Sequence, residues 1–181
     1  MDAQKTSIAG CWIIKPKVFK DARGYFYESF QKERFEALTK TSFNPIQDNE
    51  AFSTYGVVRG LHLQEAPHAQ AKLIRVLQGT ILDVVVDLRK ESPAFGAVAT
   101  AVLSQENKEQ LFVPKGCAHG YSVLSPEAVV FYKTDAYYHP ETESGILYND
   151  EVLNIDWGIP KEKQILSDKD LLWPTFKNYS L

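Results

Sequence analysis

Two histidines stand beside glycines in β-type stretches of this chain. His62 follows Gly60 in the string RGLH, and His119 precedes Gly120 in the string CAHG. A histidine at the mouth of a glycine-lined strand keeps one ring nitrogen accessible, so each is a candidate general base or metal ligand. A single histidine of this kind is more often structural. Two of them make an active cavity a serious alternative.

The strings around the histidines argue against a catalytic metal. Metal sites in β-barrels use a His-x-His pair, whereas Gln64 holds the second position in HLQ, and an amide is a poor ligand for first-row transition metals. The sequence has no Cys-x-x-Cys, His-Glu-x-x-His, Gly-x-Gly-x-x-Gly or P-loop string. His68 and His139 stand in proline-flanked strings, APHAQ and YHPE, and are expected at the surface. We therefore expect neither a metal nor a nicotinamide cofactor.

Carboxylate, ammonium and phenol groups also occur inside apolar stretches. Side chains alternate between the two faces of a strand, so Asp83 and Asp87 share one face of the predicted strand 81–88. Lys72 and Tyr132 share faces with aliphatic residues in the same way. Two interpretations remain open: these groups are rim or outer-face residues in solvent, or they enter one cavity together.

The elements that would position these residues are mostly short β-type runs separated by turns. One helix is predicted, Lys32–Thr39, because Phe35 and Leu38 are three residues apart with charges on the other faces. The chain from residue 149 onward is less regular and is expected to cover the sheets. This pattern predicts an all-β fold with two sheets or a closed barrel, a few short peripheral helices and a single domain over 1–181. The predicted strands are 11–18, 24–30, 72–77, 81–88, 98–103, 110–113, 121–124 and 128–134.

Composition excludes several classes of protein. The 181 residues carry a net charge of −3 with no basic stripe, so no nucleic-acid partner is expected. The apolar runs are far shorter than the ~20 residues that cross a bilayer, and the first residues lack the pattern of a signal peptide. Two cysteines, Cys11 and Cys117, do not form a disulfide framework. We expect a cytoplasmic protein without a membrane partner.

Ten strings, taken together, resemble one known family. They follow one another in the family's order over nearly the whole chain, and the combination is specific although each string alone is weak. The sequence is identified by this resemblance as similar to the dTDP-4-dehydrorhamnose 3,5-epimerase family. The strings are FKDARGYFYE at 19–28, QDN at 47–49, GVVRGLHLQ at 56–64, QAKL at 70–73, DVVVD at 83–87, VPKGCAHG at 113–120, YK at 132–133, ESGI at 143–146, YND at 148–150 and LSDKD at 166–170.

The resemblance implies a fold, a substrate and a reaction. It implies a cupin-type jelly-roll β-sandwich, a homodimer, and no metal or organic cofactor. The implied substrate is dTDP-4-dehydro-6-deoxy-D-glucose, epimerised at C3 and C5 on the way to dTDP-L-rhamnose. Inversion beside a ketone needs one group to remove the α proton, one to stabilise the enolate and one to protonate the opposite face.

The resemblance also assigns these tasks to residues of this sequence. His62 matches the family's base, and Asp170 matches the carboxylate that pairs with it. Tyr132 matches the acid on the far face of the sugar. Lys72 matches the ammonium near the developing C4 oxyanion, where positive charge acts mainly in the transition state.

The substrate-binding set comes from the same resemblance. Arg23 and Arg59 match diphosphate contacts, for which a bidentate guanidinium is well suited. Tyr138 would offer an aromatic face to thymine, and Tyr137 could exchange roles with it. Asp83 is expected to orient a histidine or lysine within the barrel. The whole implied set is Arg23, Glu28, Gln47, Asn49, Arg59, Lys72, His119, Tyr138, Glu143 and Lys169.

Two departures and three alternatives accompany this resemblance. Tyr148 stands where the family usually has Trp, and Tyr121 stands where it usually has Phe; both keep an aromatic ring. An epimerase acting at C3 only or C5 only would share the same strings. A metal-dependent cupin oxygenase is the alternative from another class, which Gln64 disfavours. A non-catalytic sugar-binding sandwich is the third.

Overall fold

The computed structural model describes residues 1–179, in which strands dominate and one α-helix occurs. Four short 3-10 turns follow the last long strand. The strands are β1 Asp2–Lys5, β2 Trp12–Lys15, β3 Val18–Asp21, β4 Gly24–Tyr27, β5 Gln47–Thr54, β6 Val58–Gln64, β7 Lys72–Gln78, β8 Thr80–Asp87, β9 Val98–Ser104, β10 Gln110–Val113, β11 Cys117–Val123, β12 Glu127–Thr134 and β13 Glu143–Gly145; the helix α1 is Lys32–Thr39, and the 3-10 turns are Pro140–Thr142, Lys161–Lys163, Asp168–Leu171 and Phe176–Asn178.

Two antiparallel sheets form a sandwich. The six-stranded sheet has the order β1-β2-β10-β7-β12-β5, and the five-stranded sheet has the order β13-β6-β11-β8-β9. Strands β3 and β4 form a separate hairpin. Aliphatic residues of both large sheets make one buried core between them, for example Ile74 and Val130 from the first and Val85 and Leu103 from the second. The predicted all-β class with peripheral helical pieces is confirmed.

The chain after β13 covers the outer face of the five-stranded sheet. Leu153 and Trp157 from this segment pack with Val84 and Val86 of β8. Strand β8 is therefore buried on both faces, and the predicted irregular covering segment is confirmed.

The carboxylates of β8 lie inside the protein because both faces of the strand are covered. Asp83 and Asp87 are fully buried, so the solvent-facing interpretation of this strand is wrong. Asp87 makes an ion pair with Arg89 at the end of the strand, 2.7 Å between Oδ2 and Nη2. Its charge is thus neutralised away from the cavity that Asp83 approaches.

Helix α1 covers the outer face of the six-stranded sheet and has the predicted bounds. Phe35 of the helix and Phe43 after it pack against Phe112 of β10, with ring centroids 4.9 and 5.2 Å from the Phe112 ring. The Gln31 side chain accepts a hydrogen bond from the Arg34 N–H and so satisfies one free donor of the first turn.

Several predicted strand bounds differ from the structure. The run 11–18 is divided into β2 and β3 at Pro16, which has no N–H for a sheet hydrogen bond. The run 24–30 ends at Tyr27, and the run 121–124 is the end of the longer β11. Strands β1, β5, β6 and β13 were not predicted, because their strings are polar or contain glycine. Within residues 1–179, no helix is long and apolar enough to cross a bilayer.

Candidate active site

A cavity of about 520 Å³ opens between the two sheets. A smaller cavity of about 150 Å³ adjoins it, and His62, Lys72 and Tyr132 line both. The cavities bring together most of the predicted site residues. The predicted residues that line at least one of them are Gln47, Asn49, Arg59, His62, Lys72, His119, Tyr132, Tyr138, Glu143, Lys169 and Asp170.

His62 and Asp170 form a hydrogen-bonded pair at the wall of the larger cavity. His62 Nε2 lies 2.5 Å from Asp170 Oδ1, and Ser167 Oγ accepts from the Asp170 N–H. Burial raises the pKa of the Asp170 carboxyl, but the hydrogen bond and charge of His62, together with hydrogen bonds from Ser167 and the Gly60 backbone, outweigh burial. The pKa is therefore lowered. An ionised Asp170 fixes the proton on Nε2, which leaves His62 Nδ1 as the nitrogen able to accept a proton.

A second histidine–aspartate pair lies next to the first. His119 Nε2 lies 2.6 Å from Asp83 Oδ1, and His119 is the cross-strand neighbour of His62. Asp83 is fully buried, and its Oδ2 has no hydrogen-bond partner in the described part of the chain. Both histidines stand in the middle of their strands, β6 and β11, not at strand ends as the sequence suggested.

Two glycines allow these strands to approach closely. A Cβ on Gly120 would lie 2.6 Å from the Arg59 carbonyl oxygen, and a Cβ on Gly60 would lie 2.5 Å from the Gly120 Cα. Gly60 also has a backbone φ of +125°, which residues other than glycine rarely adopt. The glycines beside the histidines therefore set the spacing between the two pairs.

Lys72 reaches the cavity from β7 in the opposite sheet. Its Nζ is 3.5 Å from the His62 carbonyl oxygen. Desolvation lowers the pKa of the Lys72 ammonium to about 8, while the negative charges of Glu143 and Asp83 oppose this shift. The group is still mostly protonated at neutral pH, and burial strengthens its field on any oxyanion nearby.

Tyr132 enters the cavity from β12, also in the six-stranded sheet. Burial raises the pKa of its phenol, an effect that the Arg59 charge partly offsets. Tyr132 is therefore protonated at neutral pH and able to donate. His62 and Tyr132 therefore line one cavity from opposite sheets.

Several polar residues that line the smaller cavity are joined by hydrogen bonds and an ion pair. Gln47 Nε2 donates to Asn49 Oδ1 at 3.0 Å. Glu143 accepts from the Tyr138 hydroxyl at 2.6 Å and forms an ion pair with Lys169. Burial raises the pKa of Glu143, but the hydrogen bonds from Lys169 and Tyr138 prevail and lower it. Of the two tyrosines left open by the sequence, only Tyr138 is among the described lining residues.

Arg59, Arg23 and Glu28, all expected to contact the nucleotide, do not lie together in the structure. Arg59 lines the larger cavity, where its Nε donates to Ser53 Oγ at 3.1 Å. Arg23, with a side chain 90% exposed, pairs with Asp21 in the β3–β4 hairpin. Glu28 pairs with Arg34 of helix α1. Neither Arg23 nor Glu28 is among the lining residues of this single described chain.

Sequence reasoning missed several groups around the cavity. Tyr121 was treated as a harmless aromatic exchange, yet it lines the larger cavity and its hydroxyl is buried. Gln64 was considered only as a failed metal ligand, yet its side chain connects three backbone groups of neighbouring loops. Trp173 packs edge-on against His62, and only its place three residues after Asp170 could have indicated this.

The arrangement supports proton transfer rather than hydrolysis or redox chemistry. It offers a histidine paired with a carboxylate, a protonated phenol and a buried ammonium, all lining one cavity. These are the groups required to remove a proton beside a carbonyl, hold the enolate and return a proton.

Comparison with known proteins agrees with this chemistry. The family model described as dTDP-4-dehydrorhamnose 3,5-epimerase matches residues 5–178. The chain is 48% identical to dTDP-4-dehydrorhamnose 3,5-epimerase of Shigella flexneri over 171 residues, covering 94% of this chain and 93% of that protein.

Solved structures give the same result. The crystal structure of dTDP-4-dehydrorhamnose 3,5-epimerase from Elizabethkingia anophelis NUHP1 superposes with a TM-score of 0.97 at 49% identity, covering 100% of this chain and 99% of that chain. The dTDP-6-deoxy-D-glucose-3,5-epimerase of Legionella pneumophila, solved in complex with dTDP-4-keto-L-rhamnose, gives a TM-score of 0.94 at 44% identity, covering 99% and 94%.

Proposed function

The chain belongs to the dTDP-4-dehydrorhamnose 3,5-epimerase family, and we propose that His62, Asp170, Lys72 and Tyr132 carry out its reaction. The protein is an epimerase of a dTDP-linked sugar with the cupin-type jelly-roll fold. Its reaction inverts C3 and C5 of dTDP-4-dehydro-6-deoxy-D-glucose in dTDP-rhamnose biosynthesis. The observation that carries the proposal is that His62 and Tyr132 reach one cavity from opposite sheets.

The first step is proton removal by His62. The proton on C3 or C5 moves to Nδ1, because Nε2 is already bonded to Asp170. The C–H bonding electrons form the enolate, whose negative charge lies on the C4 oxygen. Asp170 stabilises the imidazolium that results, since it is ionised and 2.5 Å away.

The second step is protonation from the other side. Lys72 stabilises the C4 oxyanion while it exists, because its ammonium charge interacts more strongly with the enolate than with the neutral ketone. The Tyr132 hydroxyl then donates a proton to the carbon on the face opposite His62. His119, held by Asp83, contributes a further hydrogen bond to the sugar.

The base and deoxyribose would lie at the smaller cavity and its mouth, and the diphosphate would extend to the larger one. Gln47, Asn49 and Tyr138 line this cavity and would contact the base and deoxyribose. Arg59 would contact the diphosphate. Glu143 and Lys169 form an ion pair at the edge, where they close the pocket over the sugar.

Arg23 and Glu28 would join the site through a homodimer. Their hairpin carries exposed aromatic rings, with Phe26 71% exposed and Phe19 54% exposed. Exposed aromatic residues of this size are typical of interfaces. A second copy that receives this hairpin would gain Arg23 and Glu28 at its pocket. Neither residue reaches the pocket of its own chain. The site is then completed by the partner subunit.

The chain is proposed to act as one catalytic domain in the cytoplasm. Both large sheets share one core, and the segment after β13 returns to supply Asp170. A nucleotide-sugar substrate and two cysteines buried as free thiols are consistent with a reducing compartment.

Incubation with dTDP-4-dehydro-6-deoxy-D-glucose in D₂O tests the reaction. NMR should show deuterium at both C3 and C5 of an L-configured product. Deuterium at one carbon only, with one inverted centre, would indicate a C3-only or C5-only epimerase. No exchange at either carbon would contradict the epimerase assignment and favour a sugar-binding sandwich.

A further inference from the structure

Within the described part of the chain, the backbone around Tyr138 belongs to no strand. Strand β12 ends at Thr134, and residues 135–139 form an irregular link to the turn at Pro140–Thr142. Tyr138 is 51% exposed, and its hydroxyl donates to Glu143. A half-exposed ring on an irregular link keeps one position only if other groups hold its backbone.

One buried side chain holds this backbone on both sides of Tyr138. Gln64, the last residue of β6, is 4% exposed. Its Nε2 donates to the Tyr137 carbonyl at 3.0 Å, and its Oε1 accepts from the His139 N–H at 2.5 Å. A residue of a parallel strand bonds the residues before and after its neighbour in the same pattern. The Gln64 amide therefore takes the place of a strand partner for Tyr138.

The chemistry of the amide allows only one orientation. The second N–H of Gln64 Nε2 donates to the His68 carbonyl at 3.1 Å, so both N–H groups are used. A reversed amide would place its oxygen against two carbonyl oxygens and its NH₂ group against an N–H. The rings of His68 and His139, which the sequence placed separately at the surface, also stack with centroids 3.6 Å apart. The loop after β6 and the link after β12 are thus fixed to each other.

Two further glutamines that line the smaller cavity bond the same link. Gln47 Oε1 accepts from the Tyr138 N–H at 3.3 Å, and Gln70 Nε2 donates to the Ala136 carbonyl at 2.7 Å. Each of them bonds this link on one side of the Tyr138 Cα atom, whereas Gln64 bonds it on both sides. The position of the Tyr138 ring should therefore depend most on Gln64.

We propose that Gln64 is a positioning residue for nucleotide binding, and that it acts by fixing the Tyr138 ring against the thymine base. This inference rests on the proposed function, in which Tyr138 contacts the base. Gln64 also lines the smaller cavity, but the backbone already uses both of its N–H groups. The bond between His62 and Asp170 does not involve Gln64, so KM should rise more than kcat falls.

Gln64→Met tests the proposal, because it keeps the length of the side chain and removes all three hydrogen bonds. The Kd for dTDP, measured by calorimetry, should rise about 5- to 100-fold, the range that stacking of one base on an aromatic ring provides. The Kd for inorganic pyrophosphate, which has no base, should stay the same. The matched control is Gln105→Met, which removes an amide that accepts the Gly79 N–H at the β7–β8 turn. It should bind dTDP like the unchanged protein.

A double-mutant cycle separates positioning from a general loss of structure. In Tyr138→Ala, which lacks the ring, adding Gln64→Met should change the Kd for dTDP by less than about twofold. An equal loss of affinity in both backgrounds, or no loss in Gln64→Met alone, would overturn the proposal. If circular dichroism shows that Gln64→Met does not fold, Gln64→Asn replaces it in the same cycle, since its shorter amide cannot reach both sides of the link. An unchanged protein that does not bind dTDP would instead remove the proposed function on which the inference rests.

Discussion

The Nε2 atom of His62 lies 2.5 Å from Oδ1 of Asp170, a residue 108 positions further along the chain. This contact joins a strand of the sandwich to the segment that covers it. It orients the ring and places a negative charge beside the proposed base, so each partner can be tested separately.

Asp170→Asn keeps the size of the side chain and removes its charge. We expect kcat to fall by about 10²-fold or more, because the imidazolium formed by proton removal loses its counter-ion. Affinity for dTDP should change little. Steady-state kinetics and calorimetry measure the two effects. Asp168→Asn, in the same turn but exposed, is the control and should retain full activity.

His62→Ala removes the proposed base. Loss of a positioned base costs about 10²–10⁴ in rate, and a single base predicts that deuterium exchange stops at C3 and C5 together. Binding of dTDP should persist, since its contacts lie elsewhere. NMR in D₂O measures both positions. Exchange that continues at one carbon would show that a second base operates there.

Tyr132→Phe removes one hydroxyl and keeps the aromatic ring of the side chain, so packing should change little. His62 can still remove the proton and return one to the same face, so deuterium should enter the substrate with retained configuration. Inverted product should fall sharply. The ratio of inversion to exchange, read by NMR, is the measured quantity. A ratio equal to that of the unchanged protein, or a similar fall in the control Tyr55→Phe, would exclude Tyr132 as the proton donor.

The lowered pKa of Lys72 predicts a limit to activity in alkaline solution. Because burial lowers this pKa to about 8, kcat/KM should decline as pH rises through 8 and the ammonium is lost. In Lys72→Arg the charge persists, so any activity that remains should not show that decline. A decline at the same pH in the arginine variant would assign it to another group.

Deprotonation of Lys72 does not itself destabilise the fold. The pKa of Lys72 is lower in the folded than in the unfolded protein, so between about pH 8 and 10.4 this residue binds more protons in the unfolded chain. The contribution of Lys72 to stability therefore rises with pH over this interval while activity falls. Thermal melts followed by circular dichroism at each pH separate the two effects.

Mixed dimers test whether Arg23 serves the partner's pocket. Arg23→Ala and His62→Ala should each be poorly active, but a refolded equimolar mixture should recover about a quarter of normal activity. Half of the dimers are mixed, and in each one of the two pockets has both intact groups. No recovery, despite mixed dimers seen by mass spectrometry, would mean that Arg23 acts within its own chain or not at all.

The parts of the fold with strong local patterns could be predicted from sequence. Helix α1 has the predicted bounds because its apolar spacing and the Gln31 cap agree. Strands β5 and β6 escaped prediction because sheet pairing, rather than propensity, stabilises their polar and glycine-containing strings.

Most residues proposed for the site could be named from the sequence, but their geometry could not. The glycine-flanked string indicated His62, the family resemblance added Asp170, and the structure brings both to one cavity. The positions of Arg23 and Glu28 could not follow from one chain, since no contact within it brings them to the pocket. The hydroxyl of Tyr121 was overlooked because an aromatic exchange was judged by ring size alone.

The return of the covering segment over the sandwich also sets an order in time. At about 5–20 residues per second, a ribosome adds Asp170 about 5–20 s after His62. Strands β11 and β12 are synthesised within that interval, so His62 and Tyr132 both exist before the carboxylate that is proposed to assist the base. The growing chain therefore carries the proposed base and acid for several seconds before Asp170 completes the proposed set.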